Sequence, residues 1–246
     1  MISIIICSID DARFAAMSAN YAELLKDEPH EIIRISDARS ICEGYMRGIA
    51  RSRGERLVFC HDDIEILNSD FAARLNEHLG QFDLVGVAGT NRLIRGEWVA
   101  AGPPYIFGQV AQDHPQEGFV VRIFGVPGRS VGGIQAMDGL FFAARRAVVE
   151  RIPFDAQTFD GFHHYDLDFS FAAHLAGFRL GIANDIHIIH RSWGSHDQSW
   201  RNYAGRFDRK YAGRLNPMPP RRFAFAWVCV RTKQEVREIM NSACPA

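Results

Sequence analysis

Residues 154–190 read FDAQTFDGFHHYDLDFSFAAHLAGFRLGIANDIHIIH, and this stretch decides how the chain is organised. Leu167, Phe171 and Leu175 recur every four residues, which places them on one helix face opening at Tyr165-Asp166-Leu167-Asp168. Gly177 stops that helix, Arg179 to Ala183 follows as a short strand, and Ile186 to Ile189 is a second strand ending at His190. A carboxylate therefore stands where a helix begins and an imidazole where a strand ends. Loops at both places hold polar groups above a rigid sheet in α/β proteins. Asp166 and Asp168 are two apart and cannot share a helix face, so one is free to face a cleft while the other serves the helix start.

Outward from this stretch the pattern is regular. Ile2 to Cys7 (ISIIIC) is a β-branched run that predicts a strand covered on both faces. Ser8-Ile9-Asp10-Asp11 then leads into a helix from Ala12 to Lys26. Glu31 to Ile35 predicts a second strand ending in a polar turn with Asp37, and Ile41 to Arg53 a second helix stopped by Gly54. Arg56 to Cys60 predicts a third strand, closed by the acidic loop His61-Asp62-Asp63-Ile64-Glu65-Ile66. Ser69-Asp70 is expected to cap a third helix reaching about Leu79, and Leu84 to Ala88 to form a fourth strand. Four alternations at short spacing argue for a mostly parallel sheet with helices on both faces. From Gly89 to Gln135 glycine, proline and scattered aromatics predict a long irregular binding loop, with an edge strand at Phe119 to Phe124. Met137 to Ala144 returns to strand character. Trp200 to Tyr211 reads as a helix with a basic, solvated face, and Thr232 to Met240 as a terminal helix.

The totals set bounds. A chain of 246 residues suits one large α/β domain or two small ones, and 47% apolar residues suffice for its core. A net charge of −1 predicts no bulk attraction to nucleic acid. Five cysteines, an odd number with no CxxC pair, fit a reducing compartment; with no signal peptide and no membrane-length apolar run, the expected location is cytoplasmic.

His61-Asp62-Asp63 directly follows a buried strand, a setting suited to a hard divalent cation whose remaining positions are filled by water and phosphate oxygens. Taken together, MDGLFFAARR, FDGFHHYDLDFS, HLAGFR and IHIIHRSWGS resemble the family 2 type of glycosyltransferase with the GT-A fold, in the bacterial branch whose acidic motif reads HxD. The resemblance runs from Ile2 to about Tyr211. It implies a single α/β GT-A (Rossmann-like) domain at 1–215, divided into a nucleotide-binding half (1–90) and an acceptor or catalytic half (91–215), followed by a C-terminal helical and strand extension (216–246). It implies an inverting, metal-dependent transfer from a nucleotide-sugar, a UDP-sugar, to a hydroxyl of a glycan or other acceptor in bacterial surface glycan synthesis, with Mn²⁺ or Mg²⁺.

Residue by residue, the resemblance makes Asp166 the catalytic base and Asp63 and His190 metal ligands. It places Ser8, Asp10, Asp37, His61, Asp62, Asp138 and Gly139 with the bound donor. His61 stands where the family has a first aspartate, which leaves it a choice between ligation, ribose contact and holding the loop. Tyr165 replaces the acid that precedes the base. A base at a helix start is expected to be weak, because the dipole favours its charged form. Two other readings compete: a non-catalytic nucleotide- or glycan-binding module on the same fold, and a metal-dependent hydrolase built on Asp166, Asp168, His187 and His190. The Phe223 to Val230 run (FAFAWVCV) reads as an edge strand, a homodimer contact or a peripheral membrane contact.

Overall fold

Strand β1 (Ile2–Cys7) lies deep in the molecule: Ile2, Ile4, Ile5 and Ile6 are all fully buried, so both of its faces are covered. The computed structural model describes residues 1–194, 197–218 and 226–244. After β1 come α1 (Asp11–Leu24), β2 (His30–Ile35), α2 (Ile41–Arg51), β3 (Arg56–Cys60), β4 (Ile64–Ile66), α3 (Phe71–Gln81), β5 (Leu84–Gly86) and β6 (Ala88–Thr90). A 3-10 turn (Trp98–Ala101) precedes β7 (Ile106–His114), β8 (Gly118–Gly125), β9 (Ser130–Gly132), β10 (Ala136–Met137), β11 (Phe141–Arg145), α4 (Arg146–Arg151) and α5 (Tyr165–Leu175). The chain continues through β12 (Leu180–Ala183), β13 (Ile188–His190), α6 (Gln198–Lys210), β14 (Ala226–Val230) and α7 (Lys233–Ala243).

The central sheet has the order β2-β1-β3-β11-β5-β12-β9. β2, β1, β3, β5 and β12 run parallel, while β11 and β9 oppose them. Alternation along β3 assigns the helices to faces. Cys60 Sγ meets Tyr21 and Met17 of α1, and Tyr21 in turn packs edge-on against Phe71 of α3. Phe59, on the opposite face, packs against Tyr45 of α2, Phe142, Phe154 and Phe169 of α5. Truncating such a fully buried ring costs about 3–5 kcal/mol, so this aromatic layer fixes where α5 can lie. Ser40 caps α2 by accepting from the Glu43 N–H at 3.1 Å, and Asp197 caps α6 by accepting from the Trp200 N–H at 2.9 Å.

A second sheet, in the order β10-β6-β7-β13-β4 with β8 beside β7 and β14 beside β8, takes in β4 and β7, which the sequence assigned to loops. Residues 89–135 are not a long irregular loop. The strand expected at Phe119 to Phe124 is β8, though it lies between β7 and β14 rather than at an edge, and its hairpin partner β7 carries polar Gln109, Gln112 and Asp113, which break the apolar alternation by which strands are recognised. The Leu84 to Ala88 run is two strands, because the chain leaves the central sheet after Gly86 and enters the second at Ala88. An apolar run carries no mark of which sheet its residues join. Ile64–Ile66 of the acidic loop is likewise a strand, paired with β13. Asp70 precedes α3 without a side-chain capping bond and pairs with Arg74 instead.

At the C-terminus, β14 pairs with β8 as an edge strand, and Phe223 to Phe225 lie outside the described residues, as do Ser195 and His196. α7 opens on a capping box formed by Thr232 and Glu235, and buries Val236 and Met240 against Leu67, Ala111, Val121 and Ile189. All five cysteines are free thiols, Cys7 only half-buried. Among the described residues no helix is long and apolar enough to cross a membrane.

Candidate functional site

Strands β2, β1 and β3 are parallel and in register, so their carboxyl ends line one edge of the sheet, the place where open α/β sheets bind ligands. Asp37 lies past β2, exposed, with Arg47 donating to its Oδ1 at 2.6 Å; that bond holds its carboxyl below the usual range. Ser8 follows β1 and donates to Asp62 Oδ2 at 2.8 Å, joining the first and third strand ends. Asp10 caps α1, accepting from the N–H groups of Ala12 and Arg13, and the Arg13 bond lowers its carboxyl. The geometry thus gives Asp10 a complete structural job, while Asp37 and the Ser8–Asp62 pair face the open edge.

His61 and Asp63 leave β3, and His190 ends β13 on the neighbouring sheet. They converge. His190 Nε2 lies 3.3 Å from Asp63 Oδ1 and 3.2 Å from His61 Nδ1, with 4.0 Å between His61 Nδ1 and Asp63 Oδ1. The antiparallel pairing of β4 with β13 brings this about, because it sets His190 opposite Ile64, the residue after Asp63. Ser192 Oγ lies 3.0 Å from His190 Nε2. Burial and the adjacent His190 ring push His61 down, toward neutral imidazole. Burial raises the Asp63 carboxyl, but the His190 and His61 rings outweigh it and the group titrates well below the usual range. Among the described residues no lysine or arginine pairs with the Asp63 carboxylate. Two ring nitrogens and a carboxylate oxygen, mutually within 4.8 Å, are a donor set that fits a divalent ion.

Tyr165 links this cluster to the carboxylates. Its hydroxyl is 2.9 Å from His61 Nε2 and donates to the Gly139 carbonyl at 3.2 Å. A Cβ on Gly139 would lie 2.5 Å from that hydroxyl oxygen and 2.8 Å from Asp166 Cβ, so glycine is required for the close approach of α5. Asp138 is held by Trp98 Nε1–H at 3.0 Å and by the Leu140 N–H at 3.0 Å. Beside it Asp166 is only partly exposed. Burial first, and the Asp138 charge second, raise its carboxyl to about 7. This overturns the expectation of a weak base: the helix start does pull the other way, through the Leu167 N–H, but loss of water and a second carboxylate outweigh it. Before α5, His164 adopts a left-handed backbone (φ 64°), with its Nε2–H donating to the Gly96 carbonyl at 2.7 Å.

The remaining candidates lie apart from this cluster. Asp168 is buried on another side of α5 and accepts from Lys210 Nζ at 2.6 Å and Tyr211 Oη at 2.7 Å. His187 is buried and neutral, lowered to about 4 by desolvation and then by the Arg74 charge. Asp166, Asp168, His187 and His190 therefore do not form one hydrolytic group. Trp193 donates to the Asp113 carbonyl and lies under the Arg122 guanidinium, 4.9 Å from its ring centroid. Arg206 and Lys210 of α6, read from sequence as a solvated face, are paired with Asp160 and with Asp155 and Asp168. The sequence reading missed Trp98 and Ser192. Nothing marks Trp98 locally; Ser192 stands two residues past a candidate ligand.

Comparison with known proteins gives the family and the fold. The family model described as "Glycosyltransferase like family" matches residues 3–211. A mannosyltransferase from Pyrobaculum calidifontis, solved with GDP-Man and Mn²⁺, superposes with a TM-score of 0.52 at 13% identity, over 89% of this chain and 66% of that one. This chain thus spans slightly less than two thirds of that enzyme's length. A197 from STIV superposes at 0.40 with 12% identity, over 80% of this chain and 96% of that one, too loosely to carry an argument. No curated protein matches the chain in sequence. The family match covers most of the chain, the sheet topology is the one that family implies, and the chain belongs to the glycosyltransferase-like family on a GT-A fold.

Proposed function

We propose that the protein moves a sugar from a nucleoside diphosphate sugar to an acceptor hydroxyl, with inversion at the anomeric carbon. The observation that carries this reading is the junction at Tyr165: one side chain touches His61 of the His61–Asp63–His190 cluster, and the next residue is the raised carboxylate Asp166. Asp63 Oδ1 and His190 Nε2, with His61 beside them, would hold a divalent ion, Mn²⁺ or Mg²⁺, which when bound neutralises charge on a diphosphate. Asp166 takes the proton of the acceptor hydroxyl; a carboxyl titrating near neutral holds a proton far better than an ordinary aspartate. Burial, and after it the charge of Asp138 fixed by Trp98, keep Asp166 basic, and Asp138 would border the donor sugar. Asp37, Ser8 and Asp62 lie along the sheet edge where the nucleotide would lie.

The donor is proposed to be a UDP-sugar and the acceptor a glycan of the bacterial surface, as the sequence resemblance implies. The mannosyltransferase of similar fold carries GDP-Man and Mn²⁺, which supports a nucleotide-sugar donor and makes GDP-sugars the second arm of the test. Consumption of UDP- and GDP-sugars is measured with Mn²⁺ across an acceptor panel, and the product anomer is read by NMR. Inverted product, lost in Asp166→Asn, is the expected result. Donor binding with no consumption in any combination would replace this reading with the binding module.

A further inference from the structure

The His61–Tyr165 contact determines where one proton lies. The Gly139 carbonyl can only accept, so the Tyr165 hydroxyl hydrogen is directed there, leaving only lone pairs on that oxygen to meet His61 Nε2 at 2.9 Å. The hydrogen of that second contact therefore belongs to His61 Nε2. A neutral imidazole has a single N–H, so His61 Nδ1 is left bare, aimed at His190 Nε2 and Asp63 Oδ1. An outward ring N–H tied to a fixed partner is the arrangement that orients histidines on metals. Tyr165 is itself held on several sides: it is buried, packed edge-on against Tyr45, and closed in by Gly139.

We propose that His61 is a third protein ligand, that Tyr165 is the positioning residue selecting its ligating tautomer, and that the resulting two-nitrogen, one-oxygen set prefers a first-row transition ion over Mg²⁺. The inference rests on the cation site of the proposed transferase. Mg²⁺ favours carboxylate and water oxygens and dehydrates reluctantly, whereas imidazole nitrogens favour the later divalent ions, in the rising order Mn²⁺, Fe²⁺, Co²⁺. Among the described residues Asp63 is the only carboxylate in the cluster, so Mg²⁺ gains little from it.

The test is metal titration of the full chain without nucleotide, using Mg²⁺, Mn²⁺ and Co²⁺, together with nitrogen couplings in the electron spin-echo spectrum of the Mn²⁺ form. Co²⁺ is expected to bind more tightly than Mn²⁺, and both at least roughly tenfold more tightly than Mg²⁺, with couplings from two imidazoles. Tyr165→Phe should weaken Co²⁺ and Mn²⁺ binding by about 10–100-fold while leaving the metal-free melting temperature close to wild type. His61→Asp should narrow or reverse the preference over Mg²⁺ and remove one nitrogen coupling, which gives an independent reading should the Tyr165 variant unfold. Equal affinity for Mg²⁺ and Co²⁺, or couplings from one imidazole only, overturns the proposal. Donor turnover is followed in the same preparations. Selective ion binding with no donor consumed sinks the transferase reading and leaves this inference intact; turnover with no ion preference does the reverse.

Discussion

Two buried clusters in this protein each set an aspartate against a histidine, and they are built to opposite ends. At Asp185, His78 Nε2 donates at 2.6 Å, Arg129 Nε at 2.9 Å and Arg74 Nη1 lies at 3.1 Å; Arg129 also forms a two-pronged pair with Glu77. Every charge there has a partner, and these donors, though burial opposes them, hold the Asp185 carboxyl at about 2. At Asp63 the neighbours are His190, His61 and Ser192, with no guanidinium among the described contacts of its carboxylate. The first cluster clasps α3 to the β12–β13 connection and to the segment before β9. The second gathers electron pairs around a point. A buried carboxylate with cationic side chains on all sides is finished, whereas one faced by imidazoles in ligating geometry is suited to an added ion.

That contrast can be broken most directly at the acid beside the second cluster. Asp166→Asn should lower kcat by roughly 10²–10⁴ with the donor KM little changed, because proton removal is lost but the binding edge remains. Steady-state kinetics measure it, and a KM effect with kcat preserved would remove Asp166 from the chemistry. Asp185→Ala should behave in the opposite way. It leaves two guanidinium groups and His78 without their buried partner, costing about 3–5 kcal/mol in urea unfolding, while the folded fraction keeps its turnover. Its pH dependence follows from the sign of the shift. The folded carboxyl titrates at about 2, below the ordinary 3.8, so its stabilisation is present above pH 3.8 and disappears as pH falls through 2. The gap between wild type and Asp185→Asn should close over that window.

The second cluster should respond to metal and the first should not. At a free Mn²⁺ concentration about a hundred times Kd, wild type should gain about 2.7 kcal/mol, read as a rise in melting temperature that a chelator reverses. Asp63→Asn should lose that rise and Asp185→Asn should keep it. The smallest effect is a gain. Asp166 titrates near 7 when folded and at 3.8 as an ordinary carboxyl, so the unfolded chain ionises first as pH rises and the native state is increasingly disfavoured between those values. Metal-free Asp166→Asn should therefore be more stable than wild type by ~1–2 kcal/mol at pH 8, after allowance for solvent screening, and equal to it at pH 3. A variant that is less stable at pH 8 would show that the carboxylate is not strained by its surroundings.

The legibility of the two clusters differs for a physical reason. Asp63, Asp166 and His190 stand at element ends that the apolar periodicity marks, so they are visible as candidates from the chain alone. The Asp185 clasp draws on α3, the β12–β13 connection and the segment before β9, and no local pattern in any of them announces the others. The same holds for the β7–β8 hairpin, whose polar strand residues reach partners distant in sequence: Gln109 donates to the carbonyls of Asn184 and Met240. His61 and Tyr165 read as two separate departures from the family pattern. Only in three dimensions are they one contact, 104 positions apart in the chain.

What the amino-acid order determined by itself is the alternation of buried strands and amphipathic helices, and with it the sheet edge at which Ser8, Asp37 and Asp63 emerge, because periodicity and strand ends are local properties. Tertiary structure alone decided that a second sheet carries His190 to Asp63, that Tyr165 holds His61, and that burial, with the Asp138 charge added, brings Asp166 to titrate near neutral. Those outcomes depend on the burial and charge that other parts of the chain bring, and neither quantity is a property of a residue's own neighbours in sequence.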